Sequence, residues 1–459
     1  MRIFVDILQI SRKKGIQILL ESSIVLLRFA VSNFQSIYER QEISFVASKL
    51  KDCSDGLINH SAVPGIDILP VCLVYGANAS GKSNVINSLR YMKAHVLYSH
   101  SKGSPEGGVP RSKFALADED SSDNKELSSM EIDFVVDGVR YHYGYEYDDQ
   151  SFQSEWLYSY PEGVKRTLFE RVSPTSVVPG KTLRGEKKTL ETLMRHNSLY
   201  VSVAAQNNHE QLSSVYKFFR DIKFNAAISV DQNMVSRSFQ KSDIDNRAIK
   251  FLGMIGTGVT GVRKTKLEVE PDGEIASFRK EFSNILQKYV GSVNYEKAIN
   301  EDRFSVELSH SAKSGKEVYF KIEDESAGTR RLLVVLSSVF KALDAGDTVV
   351  IDEIDASLHT KASEAIVKLF LNKKTNPKGA QLLATTHDTN MLIAKCMRRD
   401  EVWFVEKDDF GATELFPLTD IATRKTDDIE KGYLQSRFGA VPPELNVEDV
   451  LCDEGDLDG

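Results

Sequence analysis

The pattern of apolar and polar positions divides the chain into strand-rich and helix-rich stretches. Alternation in "LLRFAVSNFQSIYERQEISFVA", which starts at Leu26, predicts two strands joined by a turn at Asn33. The stretch "MEIDFVVDGVRYHYGYEYDD" predicts a hairpin that turns at Asp137-Gly138. From about residue 188 the spacing becomes helical, and strands return after Phe304. Helices and strands then alternate, as they do in a parallel α/β layer.

These changes in pattern predict five segments along the 459 residues. They are an N-terminal extension (1–23), an N-terminal lobe with a β hairpin region (24–187), a mainly helical insertion (188–303), a C-terminal α/β lobe (304–430) and a C-terminal segment with an acidic tail (431–459).

Composition narrows the class of protein. The formal net charge of −8 means that the surface as a whole does not attract nucleic acid, although this net charge does not exclude a local basic groove. Cys53, Cys72, Cys396 and Cys452 form no zinc pattern, so we expect free buried thiols and a cytoplasmic location. No apolar run has the length of a membrane helix, and the N-terminus is a poor signal peptide.

The first chemical motif is "GANASGKS", Gly76 to Ser83, which satisfies GxxxxGK[ST] between a buried strand and a helix. Gly76 and Gly81 allow backbone N–H groups to curl around phosphates. Lys82 would neutralise the phosphate oxygens, and the hydroxyl of Ser83 would bind Mg²⁺. The motif therefore predicts a phosphate loop that binds a nucleotide, with ATP and Mg²⁺ as the expected ligands.

The second motif is "TVVIDEIDASLH", an apolar strand that ends in two adjacent carboxylates. If this strand shares a parallel sheet with the strand before Gly76, Asp352 lies beside the phosphate loop and can hold Mg²⁺ through water. Glu353 is then the candidate that polarises the attacking water. Without the phosphate loop, the same residues could simply be an acidic strand end.

A third motif, "LLATTHDTNML", predicts another buried strand that ends near His387. A lone histidine is usually a core or surface residue. Its place at a strand end, a short way beyond Asp352, favours a contact with the γ-phosphate.

The fourth motif, "ESAGTRRLL", places Ser326 at a helix start with Gly328 behind it. Hydroxyl, N–H groups and helix dipole all favour an anion there. Because the phosphate loop already serves one nucleotide, we infer that Ser326 and Gly328 serve the nucleotide of another protomer. An ordinary N-cap is the alternative interpretation.

In this order the four motifs resemble the ABC-type ATPase heads of the SMC and RecF group. The resemblance implies that "ESAGT" is a degenerate signature motif, that Asp352 and Glu353 are the Walker B pair, that Asp355 to His359 form the D-loop and that His387 is the switch histidine. "VSNFQSI" is similar to the opening turn of that group, with Gln35 in place of the usual arginine. No glutamine-loop residue is assigned; Gln150 and Gln153 are the nearest candidates.

The resemblance also implies the fold class and the site. The fold class is α/β, an ABC-type P-loop ATPase head with an antiparallel β lobe and a mainly helical insertion. Glu353 and His387 are the candidate catalytic residues, and Ser83 and Asp352 are the candidate metal ligands. The candidate nucleotide-binding residues are Gly76, Asn78, Ser80, Gly81, Lys82, Ser83, Asn84, Ser326, Gly328 and Asp355.

Stretches such as "SEWLY", "RRDEVWFVEKDDFGATELFPLTD" and "KGYLQSRFGAVP" resemble ATPases of bacterial abortive-infection and phage-defence systems, a set that includes the AbiL/RloA and PARIS ATPases. The resemblance implies a head-to-head dimer or higher homo-oligomer around ATP that controls a separate effector, such as a TOPRIM-type nuclease. A RecF-like DNA-binding repair ATPase is the alternative, and "GVRKTK" at Gly261 is its candidate contact with nucleic acid. A small-molecule kinase would leave His387 and Ser326 unexplained.

Overall fold

The structure is a computed structural model that describes residues 24–117, 127–225, 239, 243–266, 304–393, 397–423, 428–435 and 437–438. The predicted N-terminal extension, the acidic tail, Cys396 and Cys452 lie outside these residues.

The strands are β1 (Val25–Ser32), β2 (Gln41–Ser44), β3 (Ile58–Asn59), β4 (Asp67–Ile68), β5 (Val71–Gly76), β6 (Ser128–Val136), β7 (Val139–Tyr147), β8 (Phe152–Ser159), β9 (Arg166–Ser173), β10 (Ser176–Pro179), β11 (Lys223–Asn225), β12 (Val259–Lys266), β13 (Phe304–Ser311), β14 (Glu317–Lys321), β15 (Thr348–Ile351), β16 (Gln381–Thr385), β17 (Val402–Lys407) and β18 (Thr413–Pro417). The α-helices are α1 (Lys82–Lys102), α2 (Lys188–Leu193), α3 (Tyr200–Gln206), α4 (Glu210–Asp221), α5 (Asn246–Met254), α6 (Ala327–Ala345), α7 (Thr360–Leu371) and α8 (Ile429–Leu434).

The chain divides into two compact units. Unit 1 comprises Met1–Ala227 and Lys341–Gly459, and unit 2 comprises Ile228–Phe340. Helices α2 to α4, which lie within the predicted insertion 188–303, belong to unit 1. The described part of unit 2 contains an antiparallel sheet in the order β12-β13-β14 and the helix α5.

Unit 1 contains a parallel sheet, in the order β11-β15-β16-β5-β17-β18, of which only β18 pairs antiparallel among the described strands. Its inner strands are uniformly apolar and buried, as the continuous runs in β5, β15 and β16 predict for strands covered on both faces. Because β5 and β15 both flank β16, the segments that follow these three strands meet at one edge of the sheet.

Unit 1 also contains an antiparallel sheet, in the order β10-β9-β8-β7-β6-β1-β2. The predicted hairpin is β6–β7, and its turn residues Asp137 and Gly138 have positive φ angles of 49° and 72°. The alternating tyrosines of β7 form a packed face, because Tyr143, Tyr145 and Tyr147 are fully buried. These rings therefore do not offer a surface on which bases could stack. The predicted fold class, α/β with an antiparallel β lobe, is confirmed.

A buried ion pair fastens helix α3 to the antiparallel sheet. Glu155 lies 3.7 Å from Arg171, and both side chains are fully buried. The Glu155 carboxylate accepts hydrogen bonds from the backbone N–H groups of Tyr200 (2.6 Å) and Val201 (3.1 Å), at the first turn of α3. Burial raises the pKa of Glu155, and the Arg171 guanidinium opposes that rise. The pair thus satisfies helix N–H groups that water cannot reach.

Gln381 joins the two sheets of unit 1. Its side chain is buried at the start of β16, where its Nε2 donates to the carbonyl oxygen of Leu26 at 2.9 Å and its Oε1 accepts from the Leu26 N–H at 2.7 Å. The side-chain amide of glutamine has the same kinds of donor and acceptor as a backbone amide. Gln381 can therefore bond to the backbone of Leu26 as a neighbouring strand would, although β1 and β16 belong to different sheets. This contact fixes β1 beside the strands that carry the candidate site.

Candidate functional site

The phosphate loop, Gly76–Ser83, lies between β5 and α1, as its sequence predicts. A Cβ at Gly76 would lie 2.4 Å from the carbonyl oxygen of Val405, so only glycine fits beside β17. Gly81 has a φ of 112°, which side chains rarely adopt, and Ala79 has a φ of 62°. Asn78 and Ala79 are exposed at the tip of the loop, whereas Ser80 is buried.

The side chain of Lys82 bends back onto the phosphate loop. Its Nζ donates hydrogen bonds to the carbonyl oxygens of Gly76 (2.8 Å) and Ala77 (2.7 Å). Burial lowers the pKa of Lys82 to about 8, and the nearby carboxylates of Glu353, Asp352 and Asp355 oppose that shift. The amine therefore stands where phosphate oxygens could replace the two carbonyl groups.

A chain of hydrogen bonds connects the phosphate loop to the turn after β1 and to β18. Asn84 Nδ2 donates to Ser36 Oγ (2.5 Å), Ser36 Oγ lies 2.7 Å from Thr413 Oγ1, and Thr413 Oγ1 donates to the carbonyl oxygen of Ser80 (2.9 Å). We call Ser36, Asn84 and Thr413 the loop brace. A Cβ at Gly81 would lie 2.2 Å from Thr413 Oγ1, so the brace packs directly against the loop.

Asp352 follows β15 and reaches the phosphate loop across β16. Its Oδ1 accepts a hydrogen bond from Ser83 Oγ at 3.2 Å and another from Thr385 Oγ1 at 2.6 Å. The Thr385 hydroxyl also accepts from the N–H of Glu353, at 2.6 Å. Thr385 thus links the two carboxyl-bearing residues that follow β15 to the last position of β16.

The backbone turns sharply at Glu353. Its φ of 50° is in the left-handed region, which is uncommon for a non-glycine residue. Ile354 N–H then donates to the Thr385 carbonyl oxygen at 2.9 Å, which ties the turn to β16. Backbone strain of this kind clusters at functional sites.

His387 and Asp355 lie at the same edge of the sheet. The N–H of His387 donates to the Asp355 carboxylate, at 3.2 and 3.3 Å from its two oxygens. Partial burial and the charge of Lys82 lower the pKa of His387, whereas Asp355, Glu353 and Asp352 oppose that shift. The lowered pKa favours the neutral form of the imidazole, which can donate one hydrogen bond.

The oxygens of Ser83 and Asp352 suit Mg²⁺. This ion prefers hard oxygen ligands and is often held by one or two protein groups together with phosphate oxygens and water. Within the described residues no cluster of three or more histidine, cysteine or acidic side chains could hold a metal by itself. The hydroxyl and carboxylate oxygens of Ser83 and Asp352 fit a magnesium ion whose other ligands are phosphate oxygens and water.

The structure brings most of the predicted site residues together within unit 1. They are Gly76, Asn78, Ser80, Gly81, Lys82, Ser83, Asn84, Asp352, Glu353, Asp355 and His387. Ser326 and Gly328 belong to unit 2. Ser326 Oγ accepts a hydrogen bond from the N–H of Thr329 at 3.0 Å, which is the geometry of an N-cap for α6.

Sequence reasoning missed three hydroxyl residues, Ser36, Thr385 and Thr413. Thr385 stands two positions before His387 in "LLATTHD", so its strand-end position could have indicated it. Nothing in the sequence relates Thr413 to Ser80, which lies 333 positions earlier in the chain. Gln150 lies in the turn between β7 and β8, and Gln153 is the second residue of β8, where its Nε2 donates to Asp148 Oδ2 (2.6 Å) and Ser151 Oγ (2.8 Å).

Comparison with known protein families shows which family this chain matches. A family model described as "AAA domain, putative AbiEii toxin, Type IV TA system" matches residues 71–393. No functionally curated protein matches the chain.

The chain is also similar to solved structures, of which two are described here. One is cbiO1 from Clostridium perfringens, described as part of the ABC transporter complex cbiONQ, with 11% identity, coverage of 89% of this chain and 94% of that one, and a TM-score of 0.26. The other is the ATP-binding cassette MJ0796 in a dimeric post-hydrolysis state with ADP and Pi, with 11% identity, coverage of 85% and 98%, and a TM-score of 0.25. Both TM-scores are below 0.5, and neither likeness bears on the substrate or partner of this chain.

Proposed function

The chain belongs to this family of AAA domains, which makes it an ATP-binding P-loop ATPase, and on that premise we propose that it is an ATP-driven switch. Two copies close head to head around ATP and so control a separate effector protein. One observation carries the proposal most directly, namely that Asp352 Oδ1 accepts from both Ser83 and Thr385. This contact joins the phosphate loop to the strand end that carries Glu353.

Binding begins at the phosphate loop. Its backbone N–H groups and the start of α1 favour the phosphates of ATP, and Lys82 exchanges its bonds with Gly76 and Ala77 for phosphate oxygens. Ser83 and Asp352 would hold Mg²⁺, which would supply positive charge against the phosphate oxygens. The loop brace keeps the loop in shape while Lys82 changes partners.

Hydrolysis relies on the edge formed by Glu353 and His387. Glu353 accepts the proton of the attacking water, and Thr385 fixes the backbone of Glu353 through its N–H. The neutral imidazole of His387 donates a hydrogen bond to the γ-phosphate. We propose slow, regulatory turnover, because the switch needs a closed state that lasts.

Closure uses the second copy of the chain. Ser326 and Gly328 lie at the start of α6, where the hydroxyl, the N–H groups and the positive end of the helix dipole favour the γ-phosphate of the partner's ATP. By the resemblance, Asp355 belongs to the D-loop and is a further candidate contact for the nucleotide. ATP shifts the equilibrium because its γ-phosphate binds the closed form more tightly than the open form.

The effector and the biological setting rest on resemblance. The sequence is similar to ATPases of bacterial abortive-infection and phage-defence systems, and the description of the family names a toxin–antitoxin system. We propose a cytoplasmic defence ATPase whose effector is a TOPRIM-type nuclease encoded nearby. In the described part of the chain no helix is both long and apolar enough to cross a bilayer.

The RecF-like alternative has weaker support. Its candidate contact, Gly261–Lys266, lies on β12, where Arg263 pairs with Glu307 at 2.6 Å and Lys264 lies 3.9 Å from Asp243. Charges that are already paired with carboxylates attract DNA less than free ones do. Hydrolysis that DNA stimulates, with a steep dependence on salt, would favour this alternative.

The proposal is tested by purifying tagged Glu353→Gln protein from its native operon with ATP and Mg²⁺. We expect this variant to sediment as an ATP-dependent dimer and to retain a neighbour-encoded protein in a fixed ratio. The matched control is Lys82→Ala, which should bind no ATP and should lose both the dimer and the partner. Recovery of DNA without any protein partner would instead make the RecF-like function the better account.

A further inference from the structure

A cavity that is distinct from the phosphate loop lies on the antiparallel sheet of unit 1. Its volume is about 690 Å³, and strands β7 and β9, the segment after β10 and the start of α4 all contribute to its wall. We call it the β-lobe cavity. Three cationic side chains line it, those of Arg166, Lys181 and Arg184.

Among the described residues that line the β-lobe cavity, the positive charges outnumber the carboxylates. Within the part of the chain that the structure describes, the side chains of Arg166, Lys181 and Arg184 form no hydrogen bond or ion pair. Glu210 is the carboxylate that shares the lining with them. Three cations that face one carboxylate leave a surplus of positive charge, which favours an anionic ligand.

A buried histidine in the same wall points to a ligand independently of these charges. His209 is only 7% exposed, and its Nδ1 accepts a hydrogen bond from the Leu212 N–H at 3.2 Å as the N-cap of α4. The ring proton of a neutral imidazole therefore sits on Nε2. That Nε2 has no partner among the described residues, although it is buried. Gly185 lies over the ring edge, where a Cβ would lie 3.0 Å from Nε2.

We propose that the β-lobe cavity is a binding site for a phosphate-bearing small molecule. Arg166, Lys181 and Arg184 would bind the phosphate oxygens, and His209 Nε2 and the N-terminus of the twelve-residue helix α4 would complete the anion site. The buried residues Tyr141 and Leu168 supply an apolar wall for the remainder of the ligand. A volume of this size is in the range of small-molecule sites.

Pyrophosphate is the probe, and calorimetry on the full chain is the measurement. The background is Lys82→Ala, so that the phosphate loop does not contribute to binding and the result does not depend on the proposed ATPase cycle. We expect one saturable site in this background. The double charge reversal Arg166→Glu/Arg184→Glu should weaken it by roughly tenfold or more, because both side chains are exposed and would donate charge-assisted hydrogen bonds to the bound anion.

His209→Asn is the sharper variant. Asparagine is a good N-cap, so α4 keeps its cap while the donor at Nε2 is removed. We expect pyrophosphate to bind several-fold more weakly, with unchanged thermal stability. The absence of saturable binding in the Lys82→Ala background, or binding that charge reversal leaves unchanged, overturns the proposal. Binding of single-stranded nucleic acid through the same cations, without pyrophosphate binding, also overturns it.

Discussion

At the scale of single residues, Thr385 shows how one hydroxyl organises the candidate site. It donates to Asp352 Oδ1 and accepts from the N–H of Glu353, both at 2.6 Å. It therefore orients a candidate metal ligand and a candidate base at once. Residues that orient ligands in this way commonly contribute about tenfold to a hundredfold to activity.

Thr385→Val removes this hydroxyl at nearly constant volume. We expect kcat for ATP hydrolysis to fall by about ten- to a hundredfold while the affinity for ATP changes much less, because the phosphate loop is untouched. Steady-state hydrolysis and equilibrium binding of a fluorescent ATP analogue measure the two quantities. Thr386→Val is the control, since the Thr386 hydroxyl accepts from the Asp388 N–H instead. Equal losses in the two variants would contradict a special role for Thr385.

The pKa of Lys82 predicts how ATP binding depends on pH. With a pKa of about 8, the amine is mostly charged at pH 7 and mostly neutral at pH 9. Phosphates bind the charged form, so the affinity for ATP should fall as the pH rises through 8, by up to about tenfold for each pH unit. Binding titrations between about pH 7 and pH 9.5 measure this effect. His387→Gln should give the same profile, and a flat profile would remove Lys82 as the titrating group.

At the scale of elements, the loop brace connects three parts of unit 1. Ser36 comes from the turn after β1, Thr413 begins β18, and Asn84 belongs to the first turn of α1. A backbone hydrogen bond joins two of these parts as well, because the Thr413 N–H donates to the Ser36 carbonyl oxygen at 2.7 Å. The antiparallel lobe and the edge strand therefore set the shape of the phosphate loop.

Thr413→Val should loosen this arrangement. The variant loses the contacts with Ser36 Oγ and with the Ser80 carbonyl oxygen, worth about 1 kcal/mol each. We expect ATP affinity to fall by roughly tenfold, with a small decrease in melting temperature. Thr413→Ser keeps the hydroxyl and should restore both values to near those of the wild type. If the valine and serine variants bind ATP alike, the brace does not support the loop.

At the scale of the whole molecule, the proposed ATPase cycle needs residues from two chains. The phosphate loop, Glu353 and His387 lie in unit 1, and Ser326 and Gly328 lie in unit 2. A nucleotide bound between copies would make the activity depend on association, as in other symmetric interfaces. The proposal can therefore be tested by dividing the site between two defective chains.

A mixing experiment divides the site in this way. Lys82→Ala lacks a working phosphate loop, and Ser326→Asp keeps an N-cap acceptor for α6 while its charge repels the γ-phosphate. Each variant alone should be inactive. An equal mixture should recover about a quarter of wild-type turnover, because half of its dimers are mixed and each of these contains one intact site. Mixtures that stay inactive at every ratio would falsify the shared site.

Much of the fold and of the site followed from local pattern. The continuous apolar runs of β5, β15 and β16, the turn at Asp137-Gly138 and the phosphate loop could be read directly, because strand burial, positive φ and phosphate binding each require particular residue types at close spacing. The same reasoning placed Asp352, Glu353 and His387 at strand ends, and those strands prove to be neighbours in one sheet.

Only the tertiary structure decided which distant residues meet. The sequence alone determined that a phosphate loop and acidic strand ends exist, because those features are encoded within about ten residues each. It could not show that Thr413 supports the loop at Ser80, that Thr385 links Asp352 to Glu353, or that the cations of the β-lobe cavity share its wall with the N-cap of α4. Contacts of this kind depend on how strands order themselves in a sheet, and strand order is set by packing of the whole core rather than by any local pattern.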